Sequence, residues 1–212
     1  MNGQTTLRKI KKFVYLISPN KIKNTNKFLF NLKKIFETNC ISYFQLRLKN
    51  SNLGYKYKLS IKIKKITKKF SIKFIVNDDP YLAKKVGADG CHLGQSDMDI
   101  VKAKKIIGEN KIIGITCHNS KGLIKEAIKN KANYVALGAF NNSLTKKVKY
   151  RAQISTLNWV KSNYKTKVVA IGGINDKNYK KLLLNNADFL AISDYIWNNK
   201  KLNPQEATKK LL

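Results

Sequence analysis

Two carboxylates a helix's length apart are the residues of this chain best suited to chemistry. Asp78 lies in Asn77-Asp78-Asp79, directly after the apolar run FIV, and Asp97 closes Gln95-Ser96-Asp97, directly after GCHLG. Hard carboxylate oxygens gathered in one place favour Mg²⁺ and, beside it, phosphate oxygens. The run ISYFQLRLK adds Gln45, Arg47 and Lys49 at period two, and so on one face of a strand. Polar side chains on one face of a buried parallel strand are costly unless they face a mouth or a bound anion. Each feature also has an ordinary structural reading. Asn-Asp-Asp-Pro makes a turn and a helix start, because Asp caps helices and Pro favours the first helical position. The ISYFQLRLK face also reads as the solvated side of an edge strand.

The elements that position these residues come from the apolar pattern. FIV, the segment PYLAKKVGADG and GCHLG form a strand, a helix and a second, parallel strand, so both polar clusters belong at one end of a sheet. Ligands of α/β folds bind at that end, outside the carboxyl ends of the strands. Strand-like runs begin near Phe13, Ile41, Phe74, Cys91, Ile112, Tyr134, Val168 and Phe189, roughly one every 25 residues. Between them lie segments of helical periodicity: Phe28 to Phe36, Leu59 to Ile66, Ile100 to Ile107, Leu123 to Ile128, Ile154 to Val160 and Tyr179 to Leu184. Asn203-Pro204 opens a last helix. Eight strands alternating with eight helices, with no break in composition, predict a single (β/α)₈ TIM barrel over residues 1–212, with residues 1–11 as a basic extension. A doubly wound open sheet is the alternative. It is weakened because no G-x-G-x-x-G follows the first strand.

Composition bounds the function class. The 212 residues are 43% hydrophobic, enough for a substantial core, and no apolar run approaches the ~20 residues of a membrane span. FVYLIS is shorter than a signal-peptide core of roughly 7–15 residues and reads as the first strand. Cys40, Cys91 and Cys117 show no metal-binding spacing. They are expected as buried thiols of a cytoplasmic protein. The formal charge of +31 would attract nucleic acid or an anionic membrane. The lysines, however, are scattered through nearly every element beside abundant Asn and Ile, as an AT-rich coding sequence would produce. Little aromatic interleaving accompanies them. The expected partners are therefore small phosphorylated molecules that the charge helps to steer, with no specific nucleic acid and no membrane. A homo-oligomer is left open.

The other strand ends supply further candidates. IIGITCHN ends in Thr116, Cys117, His118 and Asn119, and YVALGAF runs into a loop with Ser143, Thr145, Lys146 and Lys147. VVAIGGI ends in Gly172-Gly173, whose backbone can approach an anion closely, and FLAISDYI carries Ser193. Loops after the seventh and eighth strands of a barrel commonly hold phosphate.

These pieces, in order, resemble the thiamine phosphate synthase family. FQLRLK, FIVNDDPYLA, GADGCHLGQSD, IGITCHN, ALGAF…TKK, VVAIGGI and NADFLAISDYIW span residues 13–197. FQLRLK, GITCHNS and GAF are more like an alphaproteobacterial branch. The resemblance implies a Mg²⁺-dependent transferase. It joins an aminopyrimidine methyl pyrophosphate to a thiazole phosphate, with dissociative loss of pyrophosphate, and yields thiamine phosphate. Carried over residue by residue, it implies Asp78 and Asp97 as metal ligands. Arg47 and Lys49 become cations for the leaving pyrophosphate. Gln45 and Asn77 become hydrogen-bonding groups for pyrimidine or pyrophosphate, and Thr116 stands where the family usually has a serine beside the pyrimidine. Lys146 with Thr145 and Ser143 would hold phosphate, and Gly172, Gly173, Ile192 and Ser193 would cup the thiazole phosphate.

The chain departs from the family in three places. Leu48 replaces a glutamate between Arg47 and Lys49, Asp79 replaces an arginine, and Asn141-Asn142-Ser143 replaces a Phe-Pro-Thr core in the sixth loop. The Asn141-Asn142-Ser143 change puts placement of the thiazole phosphate in question. Two other readings follow from the same residues. One is a thiazole tautomerase-like relative using His118. The other is a catalytically decayed barrel that binds anions or nucleic acid.

Overall fold

The computed structural model describes residues 12–142 and 150–212. Its elements run β1 (Val14–Ile17), α1 (Thr25–Phe36), β2 (Ile41–Leu46), α2 (Leu53–Lys69), β3 (Lys73–Asn77), α3 (Pro80–Lys85), β4 (Gly90–Leu93), α4 (Ile100–Ile107) and β5 (Ile112–His118). They continue with α5 (Lys121–Lys129), β6 (Tyr134–Gly138), α6 (Ile154–Asn163), β7 (Lys167–Ile171), α7 (Tyr179–Leu184), β8 (Phe189–Ile192), α8 (Asp194–Trp197) and α9 (Pro204–Lys209). The strands close in sequence order into a parallel barrel, β1 pairing with both β2 and β8. Each predicted strand forms, within one residue of its expected start. The basic extension of residues 1–11 lies outside the described residues. No helix among the described residues is long and apolar enough to cross a membrane.

Local sequence sets the helix starts. Asn24, Asn52, Asp79, Asp99 and Ser120 each cap a helix by accepting a backbone N–H three residues on. Asn203 and Glu206 cap α9 reciprocally, and Pro204 occupies its first turn. The chain makes one helix more than expected among the described residues. After β8 it winds the single turn α8, and the Trp197 indole N–H at its end donates to the Ile17 carbonyl at 2.7 Å. That bond ties the C-terminal segment to β1.

Opposite the mouth, one short motif recurs. Asp89, Asn133 and Asp188 each follow an alanine just before β4, β6 and β8. Each side chain accepts a backbone N–H from the strand before: Phe74 at 2.9 Å, Ile113 at 2.8 Å and Val168 at 2.8 Å. Lys64 pairs with Asp89 and Lys161 with Asp188. These two acids therefore stitch the barrel floor and are not available to the site.

The core has two layers. Phe28, Leu32, Ile35 and Phe36 of α1, with Leu59 and Ile63 of α2, pack on the outer strand faces. The barrel interior holds Tyr15, Ile17, Ile75, Tyr134, Ala136, Val169 and Ala191, flanked by Tyr43 and Phe189. An eight-stranded barrel is narrow enough for side chains to fill it, and here aromatic rings do so. Tyr15 stacks on Tyr43 at 5.2 Å, and Tyr43 meets Phe189 edge-on at 5.0 Å. The Tyr134 ring fits because its β5 partner is Gly114, where a Cβ would fall on the ring itself. Gly114→Ala is therefore expected to lower stability by about 1–3 kcal/mol through overpacking. Chemical denaturation compared with Gly122→Ala, which meets only the Ser120 hydroxyl at 3.6 Å, measures the difference.

Candidate active site

The register of β3 on β4 brings the two carboxylates to one rim. Asn77 pairs with His92, and the Asp78 N–H donates to the His92 carbonyl at 2.8 Å. Asp78 then takes φ +64°, a left-handed conformation that Asp tolerates better than most residues and that still carries strain. The helix start does not require Asp78, because the N-cap of α3 is Asp79, whose carboxylate accepts from Leu82 N–H at 2.9 Å. The capping reading of Asn-Asp-Asp-Pro thus belongs to Asp79 and Pro80, which leaves Asp78 for other work. After β4, Asp97 folds back so that one carboxylate oxygen accepts the Gly94 N–H at 2.7 Å.

Electrostatics tie the two acids together. Asp97 titrates above the ordinary carboxylate range because it is partly buried and contacts the Asp78 carboxyl; the Gly94 N–H and Lys49 oppose that rise. Lys49 Nζ lies 3.2 Å from Asp78. Arg47 faces Asp78 too. Burial lowers its pKa and Asp78 opposes the fall, but its ordinary value is so high that it remains a cation at neutral pH. The Arg47 guanidinium donates to Asn20 Oδ1 at 2.6 Å, and its backbone N–H to Ser18 Oγ at 2.9 Å. β2 ends at Leu46, one residue before Arg47, so Arg47 and Lys49 stand on the following loop instead of a longer strand. Leu48 between them is buried in the outer layer, facing away from both. A groove of about 250 Å³ opens beside Asp78 and Lys49, lined also by Lys56, Asn77, Asp79, Leu46 and Leu48.

Gln45 is buried, and its amide donates to Asn77 Oδ1 at 2.8 Å. The Gln45 carbonyl and the Asn77 amide remain for a ligand. Thr116 lies on β5 just before a bulge. Its hydroxyl meets His92 Nε2 at 2.9 Å, and its carbonyl accepts from Gln95 at 2.6 Å. Across the mouth, Gly172 and Gly173 both have positive φ, +106° and +58°. A Cβ on either would collide with the loop after β6, at Ala139 or at Asn142. These glycines therefore admit the β6 loop against β7, beyond any role toward an anion. Ile192 is buried in the outer layer, so only its backbone can serve a ligand. Ser193 donates to the Ser18 carbonyl at 3.1 Å, bridging the ends of β8 and β1. Ser143, Thr145 and Lys146 lie outside the described residues. His118, at φ +54°, rests on the Tyr150 ring with centroids 4.4 Å apart.

The pattern of strand-end residues led to the groups after β2 to β8 but not to Ser18 and Asn20. These follow β1 as the polar pair of Ser18-Pro19-Asn20 and hold Arg47. His92 was likewise not singled out as a site residue, since a lone histidine inside an apolar run looks like core.

Two carboxylates with cations and amides around them suit Mg²⁺, which takes one or two carboxylates and completes its shell with water and phosphate oxygens. Among the described residues, no cluster of three or more His, Cys, Asp or Glu could hold a metal by protein ligands alone. Such a donor set at the strand carboxyl ends marks a (β/α)₈ enzyme of phosphorylated small molecules. Comparison with known proteins gives the class a family. A family model described as thiamine monophosphate synthase matches residues 14–196, and the chain belongs to that family. It is 58% identical to a thiamine-phosphate synthase of Pelagibacter ubique, over 95% of this chain and 96% of that one. It is 32% identical to the thiamine-phosphate synthase of Clostridium acetobutylicum, over 89% of each. A solved thiamine phosphate pyrophosphorylase of Pyrococcus furiosus superposes with a TM-score of 0.82 at 27% identity, over 95% of this chain and 94% of that one.

The site makes the fold sensitive to acid. Burial lowers the His92 pKa from 6.5 to about 4, with Asp97 opposing and Arg47 adding to the fall. Between those values the unfolded chain binds a proton that the folded one excludes. Stability is then full above about pH 6.5 and falls as pH drops toward about 4. The loss expected from this group is on the order of 2 kcal/mol, trimmed by the ring's partial exposure. Urea midpoints of the natural chain and His92→Gln across that window check it: the difference should be lost in the variant.

Proposed function

We propose that the chain joins an aminopyrimidine methyl pyrophosphate to a thiazole phosphate, forming thiamine phosphate and pyrophosphate, with Mg²⁺ held by Asp78 and Asp97. Family membership and the thiamine-phosphate synthase relatives support the reaction. The observation that carries the site is the contact of the Asp78 and Asp97 carboxyls beside Lys49. Two acids in contact suit a hard divalent cation, which would add to the charge of Lys49 and Arg47 beside Asp78.

In this reading the C–O bond between the pyrimidine methylene and the pyrophosphate breaks, and the electron pair leaves with the pyrophosphate. The thiazole nitrogen then donates its lone pair to the methylene cation and forms the C–N bond. No side chain need remove a proton from carbon, which agrees with a chain of only two histidines. When bound, Mg²⁺ supplies charge stabilisation on the leaving pyrophosphate. Arg47 and Lys49 add to it with fixed positive charge, and fixed charge aimed at the leaving group acts mainly in the transition state. Gln45 and Asn77 orient the pyrimidine through the carbonyl and amide their mutual bond leaves over. Thr116 offers its hydroxyl beside them. Ser143, Thr145 and Lys146 hold phosphate from the β6 loop. Gly172, Gly173, the Ile192 backbone and Ser193 receive the thiazole phosphate, Ser193 by exchanging its bond to Ser18.

Incubation with both substrates and Mg²⁺, followed by mass detection, is expected to give thiamine phosphate. Asp97→Ala is expected to reduce turnover by at least about 100-fold. Asp79→Ala, which removes only a cap, is expected to cost about 1 kcal/mol of stability and to keep the condensation. Full activity in Asp97→Ala would overturn the metal assignment, and no product from the natural chain would overturn the reaction.

A further inference from the structure

A line of hydrogen bonds runs from the closed interior of the barrel to the mouth. Tyr15 OH meets Tyr134 OH at 2.7 Å, Tyr134 OH meets His92 Nδ1 at 2.9 Å, and His92 Nε2 meets Thr116 Oγ1 at 2.9 Å. Both tyrosines are 2% exposed and sit among Ile75, Val169 and Ala191. His92 stacks on Tyr134, with ring centroids 5.7 Å apart. Polar groups placed this deep in a hydrophobic interior need their hydrogen bonds made.

The buried end decides which way the line runs. Tyr15 OH has no partner but Tyr134 among the described residues. If Thr116 donated to His92, Nδ1–H would donate to Tyr134, Tyr134 would donate to Tyr15, and the Tyr15 hydrogen would have no acceptor. If Tyr15 and His92 both donated to Tyr134, the Tyr134 hydrogen would be stranded instead. A stranded buried donor loses its solvation with no return, whereas an unused lone pair on a hydroxyl oxygen costs little. One arrangement alone spends every buried hydroxyl hydrogen. Tyr15 donates to Tyr134, Tyr134 donates to His92 Nδ1, and His92 Nε2–H donates to Thr116. That order uses both ring nitrogens of a neutral imidazole, Nδ1 accepting from Tyr134 and Nε2–H donating to Thr116.

The consequence falls on Thr116. Its oxygen already accepts from His92, so its own hydrogen points onward to the ligand. Gln95, two residues before Asp97, holds the Thr116 carbonyl, which ties Thr116 to the loop that carries Asp97. We infer that His92 is a positioning residue that makes Thr116 a hydrogen-bond donor to the bound aminopyrimidine methyl pyrophosphate, the direction being set by the buried Tyr15–Tyr134 pair. This rests on the proposed reaction for the identity of the acceptor; the hydrogen-bond direction itself does not.

The experiment is ¹⁵N NMR of the full chain labelled at histidine. The chain has two histidines, and His118→Gln assigns the signals. His92 is expected as the neutral Nε2–H tautomer at pH 7. Tyr15→Phe should retain it, because Tyr134 then has only Nδ1 to donate to. Tyr134→Phe should retain it too, because an unused Nδ1 lone pair costs less than a stranded Nδ1–H. His92→Phe, which leaves the Thr116 hydroxyl without its donor, should lower kcat about tenfold or more with KM for the thiazole phosphate little changed. An Nδ1–H tautomer or an imidazolium in the natural chain would overturn the inference, even if His92→Phe fails to fold. Unchanged kcat in His92→Phe would overturn it as well. The tautomer is read without turnover, so failure here leaves the synthase reading intact. A natural chain that made no thiamine phosphate would instead remove that reading and leave the tautomer standing.

Discussion

Like charge held at close range is the constraint around which the mouth of this barrel is built. Two unit charges about 4 Å apart at an effective dielectric of about 20 interact by about 4 kcal/mol. The chain places Asp78 and Asp97 in contact all the same, and bends Asp78 into a left-handed conformation to do so. Neighbouring residues are arranged to hold that pair. Asp79 takes over the capping of α3, Gly94 fixes Asp97 through its N–H, and Lys49 and Arg47 face the pair from the loop after β2. Ser18 and Asn20 in turn hold Arg47 from the end of β1. An arrangement so rich in local cost stays in place because it ends adjacent strands of a closed barrel, where the backbone has little freedom to relax.

The barrel interior is coupled to that rim. Gly114 makes room for the Tyr134 ring, the ring supports His92, and His92 meets Thr116 at the mouth. Packing deep in the molecule thereby sets the orientation of a hydroxyl at the site. At the opposite end, Asp89, Asn133 and Asp188 lock strand starts together, so acidic residues of similar appearance in sequence serve the floor and the mouth by quite different means.

Much of this was legible in the sequence because it depends on local pattern. Short apolar runs spaced by helical periods gave the barrel, and the placement of FIV and GCHLG gave the shared rim. Asp79-Pro80 and Asn203-Pro204 announced helix starts that formed. What stayed hidden depends on contacts distant in sequence. ISYFQLRLK looks like one long alternating strand, yet β2 stops at Leu46, and Arg47 and Lys49 reach the mouth from a loop. Ile192 matched a family position, but a residue at a strand's end has two faces, and only packing reveals that its side chain joins the outer layer. Gly172-Gly173 read as an anion-binding turn, and the further reason for glycine there, the close approach of Ala139 and Asn142, lies in a contact between the ends of β6 and β7. His92 and Tyr134 were indistinguishable from core until they were seen to share a bond across residues far apart in the chain. Ser143, Thr145 and Lys146 belong to the β6 loop outside the described residues.

The central claim is that the Asp78–Asp97 pair receives a metal together with pyrophosphate, neither one alone completing the site. Calorimetric titration of pyrophosphate into the protein, with and without Mg²⁺, tests it directly. The account predicts binding tightened by at least about tenfold when Mg²⁺ is present in the natural chain, and no such tightening in Asp78→Asn. Equal affinity with and without Mg²⁺, or a Mg²⁺ effect that survives in Asp78→Asn, would contradict it.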